Sequence, residues 1–250
     1  MKALITGASS GMGKDMAKIL AKEGHSLILV ARNQKLLEEL KSSLNCEIEI
    51  ICIDISKEEN YYKLYELTKE KNIDILINNA GCGVYGEFCK TDLKSELNMI
   101  DLNIKAVHIL TKLFLKDFKI KNSGYILNVS SSAAFCAGPL FSSYYASKAY
   151  VLRLTEAIHE ELKHENSNVY IGVFCPGPVK TNFDINAGIS SGLKGISSEY
   201  AAKYALKYMF KKKMIIVPTL SMKFVKIFDK FAPETLILKS AYYMQSRKHN

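Results

Sequence analysis

The sequence predicts an α/β chain folded as a doubly wound parallel sheet of about seven strands, with helices on both faces. Three observations lead there. Seven short apolar runs, at residues 3–6, 26–31, 47–53, 73–78, 125–130, 169–175 and 214–218, are rich in Ile, Leu and Val. Longer stretches of helical character separate most of them, at 14–23, 34–44, 58–70, 93–118 and 144–164. The runs are apolar at successive positions, as in strands covered on both faces. Right-handed crossovers then wind the sheet in both directions. The 250 residues, 48% of them hydrophobic, suffice for one large core, and no repeat or low-complexity linker divides them. One domain over 1–250 is expected.

The first run ends at Thr6 and leads into Gly7-Ala8-Ser9-Ser10-Gly11-Met12-Gly13, with a helical stretch from Lys14. Glycines there let the chain turn tightly and let a pyrophosphate approach the N–H groups, while the helix start adds partial positive charge. The spacing is G-x-x-x-G-x-G rather than the general dinucleotide pattern G-x-G-x-x-G. Its place after the first strand of a β/α alternation is what points to a nucleotide phosphate. The second run ends Leu29-Val30-Ala31-Arg32-Asn33, without the carboxylate that would hold the ribose 2′-hydroxyl of NAD. Arg32 stands where it can pair with a 2′-phosphate, so NADP(H) is the expected cofactor. Stacking of Arg32 on adenine, which NAD also permits, is the alternative.

Ser131 follows the run 125–130, at the C-terminal sheet edge where doubly wound folds bind ligands. Its hydroxyl could hydrogen-bond a substrate carbonyl. Thirteen residues on, Tyr144 and Lys148 stand i and i+4 on one helix face. An ammonium near a phenol is expected to lower its pKa, giving a proton donor or acceptor closer to neutrality. Alone, Y-x-x-x-K is a common surface pair; the glycine turn and the strand-end serine give it meaning. Residues 182–198, with three Gly and four Ser, break the rhythm and read as a mobile loop or short helices, of the kind that form lids.

In order and spacing, from residue 3 to about 181, these motifs resemble the short-chain dehydrogenase/reductase family. Thr6-Gly7-x-x-x-Gly11-x-Gly13 is similar to its cofactor turn, and Asn78-Asn79-Ala80-Gly81 to the motif after its fourth strand. Asn128-Val129-Ser130-Ser131 and Tyr144-x-x-x-Lys148 are similar to its catalytic segments, and Pro176-Gly177 follows the sixth strand as in the family. The resemblance implies a Rossmann-like fold and Tyr144 as general acid/base, with Lys148 as its pKa modulator and nicotinamide-ribose ligand. It implies Ser131 as the group orienting the substrate oxygen, and Asn103 in a proton relay through a water beside Lys148. Toward the cofactor it implies Gly7, Ser9, Ser10, Gly11, Met12, Gly13, Arg32, Asp54 at the adenine amine, and Asn79 holding the central strands. Ala80, Gly81, Pro176, Gly177, Val179 and Thr181, the last at the carboxamide, complete that set. Ser130 and Ser132 flank Ser131, and Tyr145 neighbours Tyr144; only the thirteen-residue spacing and the lysine offset select between them.

The implied reaction is NADP(H)-dependent hydride transfer between a carbonyl and a secondary alcohol, with no metal. Phe135, Leu140, Phe141, Phe183 and Ile189 near the expected site lean toward an apolar small molecule. Two rival readings are a non-catalytic cofactor-binding redox sensor or scaffold, and a membrane-associated lipid or sterol ketoreductase. By resemblance, 93–118 and 144–164 would form the faces of a homodimer or homotetramer.

The formal charge of +9 has one location. Residues 1–202 balance at 23 basic and 23 acidic side chains, whereas 203–250 hold 11 basic ones against Asp229 and Glu234. After the helical stretch 203–213 and the last strand, a basic helical extension over 219–250 is expected. Leu220, Phe224, Ile227, Phe228 and Phe231 recur at three and four, with Lys223, Lys226 and Lys230 on another side. Packing of that apolar face on the domain is the leading expectation, with an oligomer contact or substrate wall, and peripheral docking on anionic lipid, as alternatives. Nucleic acid is not an expected partner, because the bases interleave with a core-like pattern. No run of about 18 apolar residues suggests a membrane span. The start is too short for a signal-peptide core. Six scattered cysteines without C-x-x-C suggest a reduced, cytoplasmic setting.

Overall fold

The computed structural model describes residues 1–189, 195–228 and 232–246. Its centre is a seven-stranded sheet in the order β3-β2-β1-β4-β5-β6-β9, parallel throughout. The strands are β1 (Lys2–Thr6), β2 (Ser26–Ala31), β3 (Ile48–Cys52), β4 (Ile75–Asn78), β5 (Tyr125–Val129), β6 (Tyr170–Phe174) and β9 (Ile215–Ile216). Each falls on one of the apolar runs. A separate two-stranded parallel pair joins β7 (Val179–Lys180) to β8 (Ile196–Ser197).

Alternation within the strands feeds two cores. Ala3 and Ile5 of β1 and Leu27 and Leu29 of β2 face one side, packed with Met16 and Leu20 of α1 (Gly11–Lys22), Leu37 of α2 (Gln34–Ser42) and Ala205 of α8 (Ser198–Phe210). Leu4, Ile28 and Val30 face the other, against Leu64 of α3 (Glu58–Thr68) and Phe114 and Phe118 of α5 (Val107–Lys121). A buried Leu, Ile or Phe contributes about 1.5–3 kcal/mol, so both faces strongly fix the register. The order reverses between β1 and β4. The crevice at their C-terminal ends is the place where such sheets bind ligands.

Local signals set several helix starts. Asn33 accepts from the Leu36 N–H at 3.1 Å to cap α2, and Asp92 accepts from Ser95 N–H at 2.8 Å to cap α4 (Leu93–Ile100). The stretch 93–118, read as one helix, is interrupted: a π-helical turn, Asp101–Ala106, joins α4 to α5. One inserted residue rotates the following face without erasing the apolar pattern, which is why the sequence does not reveal it. The stretch 182–198 holds a short helix, α7 (Phe183–Asn186), and β8; residues 190–194 lie outside the described residues.

The C-terminal extension forms α9 (Leu220–Phe228) and α10 (Glu234–Ser246). The expectation that the Leu220/Phe224 face packs on the domain is corrected. Leu220 is 71% exposed and Phe224 70%. Met222, off that stripe, makes the contact instead, against Gly177 and the cluster containing Val217 and Cys175. The side chains of Ile227, Phe228 and Phe231 lie outside the described residues.

Candidate active site

Long α6 (Ser142–His164) carries Tyr144 and Lys148 along the C-terminal ends of β4 and β5. Tyr144 is 8% exposed, with the Phe141 ring stacked on it at 4.4 Å and Phe183 of α7 at 5.3 Å. Ser131 caps a 3₁₀ turn, Ser132–Phe135, its Oγ accepting from Ala133 N–H at 3.1 Å. Its hydroxyl also acts on the Tyr144 phenol, favouring the charged form. The neighbouring candidates are used otherwise. Ser130 Oγ donates to the Lys148 carbonyl at 2.7 Å, and Tyr145 turns its phenol toward Gln245.

Lys148 is 5% exposed, its Nζ donating to the Val129 carbonyl at 3.2 Å. Burial lowers it from 10.5 to about 8, partly offset by the nearby Cys82 and Cys175. Asn103, in the π-helical turn, is fully buried. Its Oδ1 accepts from Cys82 N–H at 3.1 Å and its Nδ2 donates to the Cys82 carbonyl at 2.9 Å and to Ser147 Oγ at 3.1 Å. A Cβ at Gly81 would stand 3.1 Å from Asn103 Oδ1 and 3.2 Å from Lys148 Nζ, so a residue without Cβ lets both converge on this strand end. Such π turns often mark functional sites, because they re-aim one side chain within a long helix.

The expectation that Lys148 draws the Tyr144 phenol toward neutrality is corrected for the protein alone. Burial pushes that phenol up, and the Ser131 hydroxyl offsets this only in part. The Lys148 ammonium lies 5.7 Å from the centroid of the Tyr144 ring. Desolvation therefore outweighs the cation here.

The glycine turn lies across the same crevice. Gly7 takes φ +67°, and a Cβ on Gly13 would collide with the Gly7 carbonyl oxygen. Asn79 Nδ2 donates to the Thr6 carbonyl at 2.9 Å and to the Gly7 carbonyl at 3.3 Å, while the Asn79 and Ala80 N–H groups both donate to Thr6 Oγ1 at 3.0 Å. The turn is thus tied to the end of β4. Helix α1 starts with no side chain capping its N–H groups, which leaves them for an anion. The Thr181 methyl lies above Gly11, 3.0 Å from where its Cβ would be. Arg32 is exposed at the end of β2 and makes no ion pair among the described residues. Asp54 Oδ1 accepts from the Ser56 N–H and hydroxyl.

A cavity of about 460 Å³ is lined from both halves, by Met12, Asn79 and Gly81 as well as by Tyr145, Met244 and Gln245. Ser131, Tyr144, Lys148, Pro176, Gly177, Val179 and Thr181 line it. Ser9, Ser10 and Ala8 belong to the turn leading into α1. Of the apolar residues expected here, Phe141, Phe183 and Ile189 line the cavity, but Phe135 and Leu140 do not. Phe135 packs inward with Val151 and Val173, and Leu140 sits in a positive-φ turn at +64°.

The family model for short chain dehydrogenases matches residues 1–190. The chain belongs to the short-chain dehydrogenase family. An uncharacterized oxidoreductase of Staphylococcus saprophyticus is 32% identical over 185 residues, covering 72% of this chain and 78% of that one. The mouse 17-beta-hydroxysteroid dehydrogenase type 3 is 33% identical over 186 residues, 72% of this chain and 60% of that protein, so the chain spans well under two thirds of its length. Among solved structures, a short-chain dehydrogenase from Sphingobium yanoikuyae in complex with NADPH superposes with a TM-score of 0.83 at 28% identity, over 90% of this chain and 91% of that one. As a member of this family the chain is an oxidoreductase that uses a nicotinamide cofactor, and the uncapped α1 start, glycine turn and connected cavity fit such a group.

Two parts of the dehydrogenase were not legible in the motifs. Cys82 and Gly83 form the bend under Phe141 and Phe183, where a Cβ on Gly83 would meet both rings at 2.6 and 3.1 Å. Tyr85 and Gln245 join across 160 positions, and no local pattern announces such a contact.

Proposed function

We propose that this short-chain dehydrogenase interconverts a carbonyl and a secondary alcohol with NADP(H), through Ser131, Tyr144, Lys148 and Asn103. One observation carries the reading most strongly: Ser131, Tyr144 and buried Lys148 line one cavity, together with Met12 of the glycine turn. A bound nicotinamide supplies or accepts the hydride. Ser131 holds the substrate oxygen, and Tyr144 gives or takes its proton. Burial keeps the phenol protonated in the waiting protein, which suits carbonyl reduction, where Tyr144 acts as the acid. Lys148 and Asn103, converging beside Gly81, hold the nicotinamide ribose and pass the proton onward.

Gly7, Gly11, Met12, Gly13, Ser9 and Ser10 cradle the pyrophosphate, and Asn79, Ala80 and Gly81 border the nicotinamide side with Pro176, Gly177, Val179 and Thr181. Asp54 meets the adenine. Arg32, at the end of β2 and without an ion pair among the described residues, favours the 2′-phosphate of NADP. Phe141, Phe183 and Ile189 favour an apolar ketone. Exposed Leu93 and Leu97 on α4 support self-association through that face. The test is NADPH consumption with ketones, aldehydes and acyl thioesters, with NADH in parallel. We expect turnover with at least one apolar ketone and a preference for NADPH; consumption of neither cofactor would overturn the proposal.

Peripheral association with anionic lipid is a second reading, supported by Leu220 and Phe224, exposed on α9 within the segment that holds the whole charge excess. No described helix is long and apolar enough to cross a membrane. Liposome flotation separates the cases: binding that rises with anionic lipid and falls with salt supports docking, and binding indifferent to both refutes it.

A further inference from the structure

The last turn of α10 lines the cavity through Met244 and Gln245, and Gln245 is where it touches the ring cluster of the site. Gln245 is 4% exposed, an uncommon place for a long polar side chain. Its Nε2 donates to the Tyr145 phenol oxygen, and its main-chain carbonyl accepts from the Tyr85 phenol at 2.6 Å. Tyr145 adjoins Tyr144, with ring centroids 6.2 Å apart, and Tyr85 meets Phe141 edge-on at 5.9 Å. Gln245 is therefore built into the ring cluster around Tyr144. Its remaining polar atom, Oε1, is buried and has no hydrogen-bond partner among the described residues. Few buried acceptors in folded proteins stay unpaired, and those that do call for an explanation. Gln245 lines the same cavity as Ser131 and Tyr144, so a bound molecule can supply the missing donor.

The geometry points to Gln245 as a specificity-determining residue, whose Oε1 accepts a hydrogen bond from a hydroxyl on an otherwise apolar ketone. The substrate class is then a hydroxyketone rather than a plain hydrocarbon ketone. This deepens the carbonyl-reductase reading and rests on it for the orientation of the reacting carbonyl toward Tyr144. The complementarity is chemical. Nε2 is committed to Tyr145, so the free half of the carboxamide is an acceptor and calls for a donor. Phe141, Phe183, Ile189 and Met244, which line the same cavity, offer that donor nothing polar. A site built to pair a hydroxyl discriminates against an analogue without it, because the acceptor is then left desolvated and unpaired.

Binding is read without turnover in the Tyr144→Phe background with NADP⁺ present. Decalone, a saturated bicyclic ketone, and its monohydroxylated positional isomers are titrated by calorimetry. At least one isomer is expected to bind about tenfold more tightly than decalone, as a net hydrogen bond of ordinary strength gives. Gln245→Met, close in length but without the acceptor, is expected to bring that preference within about twofold. Gln245→Glu, which keeps an acceptor oxygen, is expected to retain it. Neither substitution removes the main-chain bond from Tyr85 that holds α10. No preferred isomer, a preference that survives Gln245→Met, or its loss in both variants overturns the inference. Preferred binding with no turnover of any ketone by the unmodified protein refutes the catalytic reading alone and leaves the recognition role standing.

Discussion

Lys148→Met is expected to stabilise the protein while abolishing its activity. Lys148 carries its charge in a site where no described carboxylate pairs with it, and burial lowers it from 10.5 to about 8. The gap, 10.5 minus about 8, corresponds to about 3 kcal/mol of destabilisation at 1.36 kcal/mol per unit. Below pH 8 the native and unfolded chains both hold this proton, so the full penalty applies. Between about 8 and 10.5 the native chain releases a proton that the unfolded chain keeps, and stability rises with pH as the penalty fades. Methionine fills the space without charge but leaves the Val129 carbonyl without its donor at 3.2 Å, a loss of about 1 kcal/mol. The net gain at pH 7 is about 2 kcal/mol, or about 4–8 °C in Tm for a chain of this size. Scanning calorimetry without cofactor, at pH 7 and pH 10, measures it. The advantage should nearly vanish at pH 10. A variant less stable than the parent at pH 7, or a gap that does not narrow with pH, would refute the reasoning.

Other outcomes follow from the same geometry. Arg32→Ala should weaken NADPH binding about 10- to 100-fold, the worth of a charge-assisted pair, and change NADH by less than threefold; equal effects on both would remove the 2′-phosphate role. Gly13→Ala forces a methyl against the Gly7 carbonyl and the Asn79 amide, so it should cost about 1–3 kcal/mol of stability in urea unfolding and weaken both cofactors together. For kcat/KM of the free protein, the limb governed by the Lys148 ammonium should fall as pH rises through about 8; a flat profile from pH 7 to 9 would show that the charge on Lys148 is not used.

The central sheet was readable because two-sided burial leaves unbroken Ile, Leu and Val runs, and the glycine turn because only a few residues suit its geometry. The π turn around Asn103 was not, since one extra residue leaves the apolar pattern of 93–118 intact. Periodicity misled at α9: Leu220 and Phe224 share a stripe that reads as core, yet Met222 makes the contact. Periodicity finds a face but not what lies opposite it. The Tyr144 phenol shows a similar limit. Its spacing to Lys148 is visible in sequence, but the rings of Phe141 and Phe183 that desolvate it come from distant segments. Gln245 gave no signal at all, because its partners Tyr85 and Tyr145 are brought to it only by the finished fold.

The most direct test sets the unmodified protein beside Tyr144→Phe, measuring NADPH affinity by cofactor fluorescence and NADPH consumption with one apolar ketone. Affinity should stay within about threefold, while turnover falls by about 10²- to 10⁴-fold, the range that positioned acid–base catalysis supplies. Turnover within tenfold of the unmodified protein would contradict the assignment of Tyr144 as the proton donor, and with it the proposed chemistry of the site.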